Sequence, residues 1–166
     1  PATVTLGSHT FTVYAADSAG NETANSSGSF SFSQRYYYAT WYDNNIGGGA
    51  TQHWLMINNE DTTDAAVDIF IGDMNNPVAD DVPVAAGAVY AWQSPVALTT
   101  GPVMVVSTTG QALGVSQRVI YRDSFNEVDA MEGGTPASEY YFPWYDNSGA
   151  NGMSGNWVMV SNMGVS

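Results

Sequence analysis

One aromatic string occurs twice in this chain, and its repetition constrains the fold more than any other feature of the sequence. Residues 37–44 read YYATWYDN and residues 140–147 read YYFPWYDN, at a spacing of 103. When the overlay is continued without a gap to Ser166, Trp54 meets Trp157 and ten of the 27 pairs are identical. Matches that include two pairs of tryptophans indicate an internal repeat, and a repeat predicts that one structural unit is built more than once.

The local pattern along the chain predicts an all-β fold. Short runs rich in β-branched and aromatic residues are separated by clusters of Gly, Asn, Asp, Ser and Pro, which is typical of strands and turns. Val67, Ile69 and Ile71 share one face of such a run while Asp68 points to the other face. No window of a dozen residues shows helical periodicity. Strands are predicted at residues 9–16, 29–32, 35–42, 53–58, 65–72, 89–92, 103–107, 112–122, 139–145 and 156–161.

The spacing of these strands predicts modules arranged in tandem. Strand-length runs at intervals of about 8–12 residues are typical of a β-sandwich or a related barrel. Residues 34–137 are predicted to form one complete module, and residues 138–166 to begin a second copy at the offset of 103. Residues 1–33 are assigned to the end of a different domain. Because every copy of a fold needs the same core, we expect a packing role for the aromatic residues of the repeat. They are Trp41, Tyr42 and Trp54 in the first copy and Trp144, Tyr145 and Trp157 in the second.

Residues 9–23, which read HTFTVYAADSAGNET, carry a family resemblance. An alternating strand leads into a D-x-A-G-N turn formed by Asp17, Gly20 and Asn21, and this segment resembles the last hairpin of bacterial immunoglobulin-like repeats. The module from Tyr37 onward is similar, more loosely, to repeats in large secreted or surface proteins of bacteria and archaea. The resemblance implies immunoglobulin-like β-sandwich modules in tandem, in a long chain outside the cell.

Charge and composition exclude several classes of partner. The chain has 16 acidic residues against three arginines and no lysine, for a net charge of -13. Such a surface lacks the cations that neutralise nucleic acid phosphates or anionic membranes. Cysteine is absent, which rules out disulfides and thiol chemistry. No segment approaches the ~18 apolar residues of a membrane span. We therefore expect neither nucleic acid binding nor membrane insertion.

The sequence gives little support to catalysis. The two histidines, His9 and His53, fall in different predicted domains, and the repeat counterpart of His53 is Asn156. A glycosidase needs two carboxylates facing one cleft. Glu127 and Glu132 are candidates for such a pair, but this region also has the composition of a solvated edge and a connector. The chain is predicted not to be an enzyme.

Three further sets of residues are candidates for specific roles. Calcium takes oxygen ligands from loops such as those that hold Asp43, Asp73, Asp80 and Asp81, although hydrogen-bonded turns explain the same residues without a metal. Beyond this possible calcium ion, no cofactor is expected. Two acceptor patterns for N-glycosylation begin at Asn21 and Asn25. The third set is the pair of arginines in residues 116–128 with their acidic neighbour: Arg118, Arg122 and Glu127 either lock a strand and turn by ion pairs or grip a ligand or a neighbouring subunit.

These observations together predict a structural module of a large extracellular or cell-surface protein, acting as a spacer, filament or surface-layer component. Its partners are predicted to be neighbouring modules of the same chain, or copies of itself joined by strand addition. One alternative is an adhesive or carbohydrate-binding module, which a solvent-accessible Trp54 would favour. A second alternative is a non-catalytic part of a secreted enzyme that acts on polysaccharides.

Overall fold

The protein is built from antiparallel β-strands, and no helix occurs among the described residues. This confirms the all-β prediction. No described segment therefore provides a helix that is long and apolar enough to cross a membrane. The computed structural model describes residues 7–45, 51–122, 124–133, 139, 141, 148 and 158–162.

Thirteen strands lie within the described part of the chain. The first two form a hairpin, and the others make up the module that follows it. Their bounds are β1 (Gly7–Ala16), β2 (Glu22–Phe32), β3 (Arg35–Ala39), β4 (Tyr42–Asp43), β5 (Thr51–Asn59), β6 (Ala65–Ile71), β7 (Ala79–Val84), β8 (Val89–Trp92), β9 (Thr99–Thr100), β10 (Val103–Ser107), β11 (Leu113–Tyr121), β12 (Ser124–Asp129) and β13 (Met131–Glu132).

Two larger sheets carry the module. One has five strands in the order β13-β3-β10-β6-β7, and the other has four in the order β12-β11-β5-β8. The chain crosses from one larger sheet to the other between β3 and β5, β5 and β6, β7 and β8, β8 and β10, β10 and β11, and β12 and β13. A short pair, β4 with β9, forms a separate small sheet. All of the strand pairs are antiparallel.

One hydrophobic cluster takes side chains from both larger sheets. Alternate residues of β5 and β6 are buried, as period-2 geometry requires, and Leu55, Ile57, Val67 and Ile69 are fully enclosed. Asp68 lies on the other, more exposed face of β6, as its position in the pattern predicts. Burying a side chain of this size contributes about 1.5–3 kcal/mol. The rest of the cluster is Tyr37, Tyr42, Ala65, Ile71, Val84, Trp92, Val103, Val105, Leu113 and Val115.

The strand predicted at residues 35–42 is interrupted. β3 joins the five-stranded sheet and β4 pairs with β9 instead, so the chain changes partner at Thr40 and Trp41. Gly101 lies against this break, because a Cβ atom added there would collide with the carbonyl oxygen of Thr40. Alternation alone did not reveal the break, since the run of β-favouring residues is continuous.

Four strands were not predicted: β7, β9, β12 and β13. β7 and β12 are edge strands whose sequences, ADDVPV and SFNEVD, are unusually acidic for strands. Edge strands tolerate charge and proline because one side of their backbone is not paired. Residues 116–128 were interpreted as a strand and a turn. They belong instead to the β11–β12 hairpin, in which Arg122 adopts a left-handed backbone at φ 53.

The β1–β2 hairpin does not contribute to the hydrophobic cluster. Every described residue of β1 is exposed except His9, which is half-buried. The register is regular from Gly7 opposite Phe32 to Val13 opposite Ser26, and it shifts before Tyr14. The hairpin predicted at the N-terminus is therefore present, as a two-stranded sheet of its own.

Most of the second copy of the string lies outside the described residues. A strand was predicted at residues 156–161, but residues 158–162 lie outside any strand. The equivalent residues of the first copy lie in β5, between β8 and β11.

Candidate functional site

The repeated aromatic string places Tyr37 and Tyr42 in the core and Trp41 at the surface. Tyr42 is fully buried, whereas Trp41 keeps 38% of its surface exposed. The hydroxyl of Tyr42 donates to the carbonyl oxygen of His53 at 2.9 Å and accepts the backbone N–H of Ser94 at 2.9 Å. Its ring stacks on His53 with centroids 4.4 Å apart and tilts against Trp92 at 5.9 Å. Tyr42 thus joins β4, β5 and the segment after β8.

His53 is buried as a neutral imidazole. Its Nδ1 atom accepts the backbone N–H of Asp43 at 3.0 Å, so the proton of the neutral ring is on Nε2. Burial lowers the pKa of His53 to about 4, although Asp43 opposes this shift. The Nε2 atom is buried and has no hydrogen-bond partner among the described residues. The other histidine, His9, stacks on Phe30 in the hairpin, with ring centroids 5.3 Å apart.

Asp43 and Asn44 fasten the loop after β8. The carboxylate of Asp43 accepts the hydroxyl of Thr99 at 3.0 Å and the backbone N–H of Asn45 at 2.8 Å. The side chain of Asn44 donates to the carbonyl oxygens of Ser94 and Val96 and accepts the backbone N–H of Leu98 at 2.7 Å. Both residues recur in the second string, as Asp146 and Asn147, which lie outside the described residues.

The four aspartates suggested as calcium ligands lie in different surroundings. Asp43 is buried in the turn just described, and Asp73 accepts Asn75 and Asn76 in the loop after β6. Asp80 and Asp81 lie on β7, near Asp68. The negative charge of Asp68 is the main reason that the pKa of Asp80 is raised. The described chain holds no group of three or more acidic or histidine side chains suited to a metal ion. Calcium binding stays a prediction, which a melting temperature measured with and without a chelator will test.

Arg118 and Glu127 form a bonded pair across β11 and β12. Nε and Nη2 of Arg118 lie 3.1 and 3.0 Å from Oε2 of Glu127. The hydroxyl of Ser116 donates to Oε1 of the same carboxylate at 2.8 Å. The pKa of Glu127 is lowered, first by the hydrogen bond from Ser116 and then by Arg118. Arg118 also lies over the ring of Phe125, 5.8 Å from its centroid.

The other two arginines make different contacts. Arg122 lies over the ring of Tyr121, 5.1 Å from its centroid, and makes no ion pair with a described residue. Arg35 pairs with Glu132 at 2.6 Å, which ties β3 to β13 at the edge of the five-stranded sheet. The sequence did not predict this second pair, because the two residues are 97 positions apart.

The outward face of the four-stranded sheet carries both polar and aromatic groups. Cross-strand pairing places Trp54 beside Arg118, and Arg118 beside Glu127. Trp54 is half-buried here, outside the hydrophobic cluster. A groove of about 270 Å³ opens next to these residues, over Gly114. We call it the Gly114 groove. Its lining includes Met56, Asn58, Val89, Ser116, Glu127 and Asp129.

The remaining candidates from the sequence are the two glycosylation sites and the packing residues of the second copy. Asn21 lies in the exposed β1–β2 turn, where its Nδ2 atom donates to Asp17 at 2.8 Å. Asn25 lies in β2. Of the packing residues of the second copy, Trp144, Tyr145 and Trp157 lie outside the described residues.

Asn59 is a structural residue that sequence reasoning missed. It is fully buried, its Nδ2 atom donates to the carbonyl oxygens of Thr63 and Val84, and its Oδ1 atom accepts the backbone N–H of Asp61. The repeat contained the signal, because Asn59 recurs as Asn162. A polar residue that repeats together with core aromatics indicates a buried hydrogen-bonding role.

Comparison with protein-family models, with curated proteins and with solved structures finds no match for this chain.

Proposed function

We propose that this chain is a structural part of a large extracellular or cell-surface protein made of tandem β-modules, serving as a spacer, filament or surface-layer component. In this proposal the two larger sheets face each other as an immunoglobulin-like β-sandwich. Each module forms its own core, and neighbouring modules of the same chain, or further copies of it, are its partners.

One observation carries the proposal: every described member of the core lies within a segment shorter than the repeat. All members of the hydrophobic cluster, and the partly buried residues packed against it, lie between Tyr37 and Ala130. The aromatic string begins again at residue 140. A unit that buries its own apolar faces and is followed by a second start is the arrangement expected of a modular array.

The repeated residues support a packing role. Tyr42 connects three segments through its hydroxyl and its ring, Asp43 and Asn44 fasten the loop after β8, and Asn59 joins three backbone segments. Such contacts maintain a fold and involve no external ligand. Each copy of a module would need them again, which explains why the same residue types return at an offset of 103.

The acidic surface suits a chain of modules that must not stick to one another. With a net charge of -13, like charges oppose random association while leaving specific contacts possible. The same charge disfavours nucleic acid and anionic membranes as partners.

The arrangement of carboxylates gives no support to a glycosidase. Glu127 lies on the four-stranded sheet and is engaged by Arg118, whereas Glu132 lies on the five-stranded sheet and is engaged by Arg35. Two carboxylates on different sheets, each held by an arginine, do not form the facing pair that hydrolysis requires. We therefore propose no catalytic role.

Single-molecule force spectroscopy tests the proposal. When the chain is stretched between its termini, we expect one resolved unfolding event that releases roughly 100 residues, a gain in contour length of about 350 Å. An Ile57→Ala variant should show the same length gain and unfold faster, because it weakens the core without changing the size of the module. Gradual extension with no resolved event would contradict a module designed to carry tension.

The neighbouring coding sequence provides a second test. Further copies of the string at spacings near 103 on either side would support the array. Flanks without such copies would remove the tandem arrangement from the proposal, while leaving the description of the module intact.

A specific observation also favours the carbohydrate-binding alternative. Trp54 is half-buried on the outward face of a sheet, next to the Gly114 groove and outside the hydrophobic cluster. Packing of the module core does not account for this position.

A further inference from the structure

The Gly114 groove is formed by the register of the four-stranded sheet. Gly114 on β11 lies opposite Asn58 on β5, and Asn58 lies opposite Val89 on β8. In the next row, Ser116 lies between Met56 and Asp129. Directly opposed residues of an antiparallel pair point to the same face, so these side chains surround a position where Gly114 contributes none.

The glycine at this position is not required by the backbone. Gly114 lies inside β11 and is not among the glycines with positive φ. A Cβ atom built on it would lie 3.6 Å from the Cβ atom of Asn58, which is ordinary van der Waals contact. Glycine weakens the interior of a strand, and it often marks a place where a ligand or another backbone approaches closely. Here it leaves a groove of about 270 Å³.

The polar groups around the groove suit a ligand that donates hydrogen bonds. Glu127 is held in place by Ser116 and Arg118, which fixes the orientation of its carboxylate. Asn58 and Asp129 add an amide and a second carboxylate on the same face. The Nδ2 atom of Asn58 already donates to Glu60 at 2.8 Å. A sugar hydroxyl group can therefore donate to the amide oxygen and to the remaining lone pairs of the two carboxylates, whereas an apolar ligand would cover these acceptors without pairing them.

Charge selects against acidic ligands. Arg118 is matched by Glu127, and Asp129 leaves an excess negative charge at the groove, on a chain whose net charge is already -13. Phosphates and acidic sugars are therefore disfavoured.

An aromatic side chain completes the site. Trp54 lies two residues before Met56 on the same face of β5, about 7 Å along the strand, and beside Arg118. Its side chain is partly exposed, and indole combines an apolar body, wide enough to cover one face of a sugar ring, with an N–H donor. We propose that the Gly114 groove and Trp54 together bind a sugar unit of a neutral polysaccharide. This site is independent of the spacer role, because Trp54 and the side chains that surround Gly114 lie outside the hydrophobic cluster. Val115 also borders the groove, but its side chain is buried in the cluster.

Binding of neutral oligosaccharides to the whole 166-residue chain tests the site. Hexamers of glucose, mannose and galactose in different linkages are titrated, and binding is followed by tryptophan fluorescence and calorimetry. We expect at least one of these probes to bind, and polygalacturonate to bind much more weakly. Gly114→Val fills the groove with a residue that suits a strand, so it should weaken binding by about tenfold or more while the melting temperature is kept.

Tryptophan variants provide the matched control. Trp54→Ala should lose the fluorescence response and bind about tenfold more weakly, whereas Trp41→Ala, at an exposed tryptophan outside the groove, should bind normally. Failure of every neutral probe at millimolar concentration would overturn the proposal. So would unchanged affinity in Gly114→Val, or equal affinity for the acidic polymer. None of these outcomes affects the force measurement, so the spacer proposal stands or fails separately.

Discussion

The N-terminal hairpin and the module that follows it show the same sequence pattern and reach opposite degrees of burial. In β1, the alternating residues Phe11 and Val13 each keep 49% of their surface exposed. In β5 and β6, the alternating residues Leu55, Ile57 and Ile69 are fully buried. Alternation decides which residues share a face, but only a second layer of structure decides whether that face is covered.

The difference extends to what holds each region together. The hairpin depends on its ladder and on its turn, where Asp17 accepts the backbone N–H groups of Ala19 and Asn21 at 2.9 Å. The side chain of Asn21 is the main cause of the lowered pKa of Asp17. The module has these local contacts and also a shared core. Because a two-stranded ribbon alone is marginal in water, the two regions should differ sharply in stability.

The two regions should differ most in how much the free energy of unfolding falls when apolar atoms are removed from each. Ile57→Ala leaves a cavity in a fully buried position, so we expect it to lower the free energy of unfolding by about 2–5 kcal/mol. Urea denaturation followed by tryptophan fluorescence measures this, because Trp92 lies in the core. The matched change in the hairpin, Val13→Ala, should leave the transition of the module where it is. Equal losses would show that the hairpin is packed against the module and that the comparison is mistaken.

Acid should weaken the module through His53. The pKa of this buried imidazole is about 4 in the folded protein and near 6.5 when exposed, so the unfolded chain binds the proton first. The free energy of unfolding should have its full value above pH 6.5. It should fall by about 3 kcal/mol in all as the pH drops from 6.5 to 4. Denaturation curves measured across this range provide the check.

The repeat provides the control for this pH effect. Asn156 occupies the equivalent position of the second string, and an asparagine oxygen can also accept the backbone N–H of Asp43. His53→Asn should therefore abolish the loss between pH 6.5 and 4, and retain the loss at lower pH that module carboxylates with a lowered pKa, Asp73 and Glu127, produce. A variant that is as sensitive to acid as the natural chain would show that another group titrates.

Removal of the hydroxyl group of Tyr42 should lower the free energy of unfolding by less than the two preceding changes. Tyr42→Phe keeps the ring in the core but leaves the backbone N–H of Ser94 buried without its acceptor, so we expect a loss of about 1–3 kcal/mol. The comparison is Tyr90→Phe, at a side chain that is 38% exposed, which should change the free energy of unfolding little. If both variants were neutral, Tyr42 would contribute to the fold through its ring alone.

The fold was predictable where local pattern and tertiary structure agree. The bounds of β8 and β10 match their predictions, because both are short runs of β-favouring residues flanked by turn residues. The edge strands β7 and β12 were missed because their acidic sequences carry no local strand signal and form strands only beside a partner. The division between β3 and β4 also depends on a distant residue, Gly101.

The candidate site was predictable only in part. Arg118 and Glu127 were singled out because cations are so rare in this chain, and the structure pairs them. Gly114 gave no signal, since one glycine in a strand has no meaning until the residues on neighbouring strands are known. The same holds for the position of Trp54: its sequence indicates a strand, but which of the two sheet faces is covered depends on strands more than 30 residues away.

The smallest expected loss of stability is confined to the hairpin. Measuring it tests whether the two regions unfold separately. Gly20 has a left-handed backbone at φ 84, where an L-residue is strained, so Gly20→Ala should destabilise the turn by about 1 kcal/mol. Amide hydrogen exchange should show about fivefold less protection in β1 and β2, with no change in β5, β6 and β10. Gly114→Ala is the matched control, because its φ is not positive and the hairpin should not respond to it. If Gly20→Ala also lowered protection in the module, the hairpin and the module would be one cooperative unit, and the exposed face of β1 would have to be explained within it.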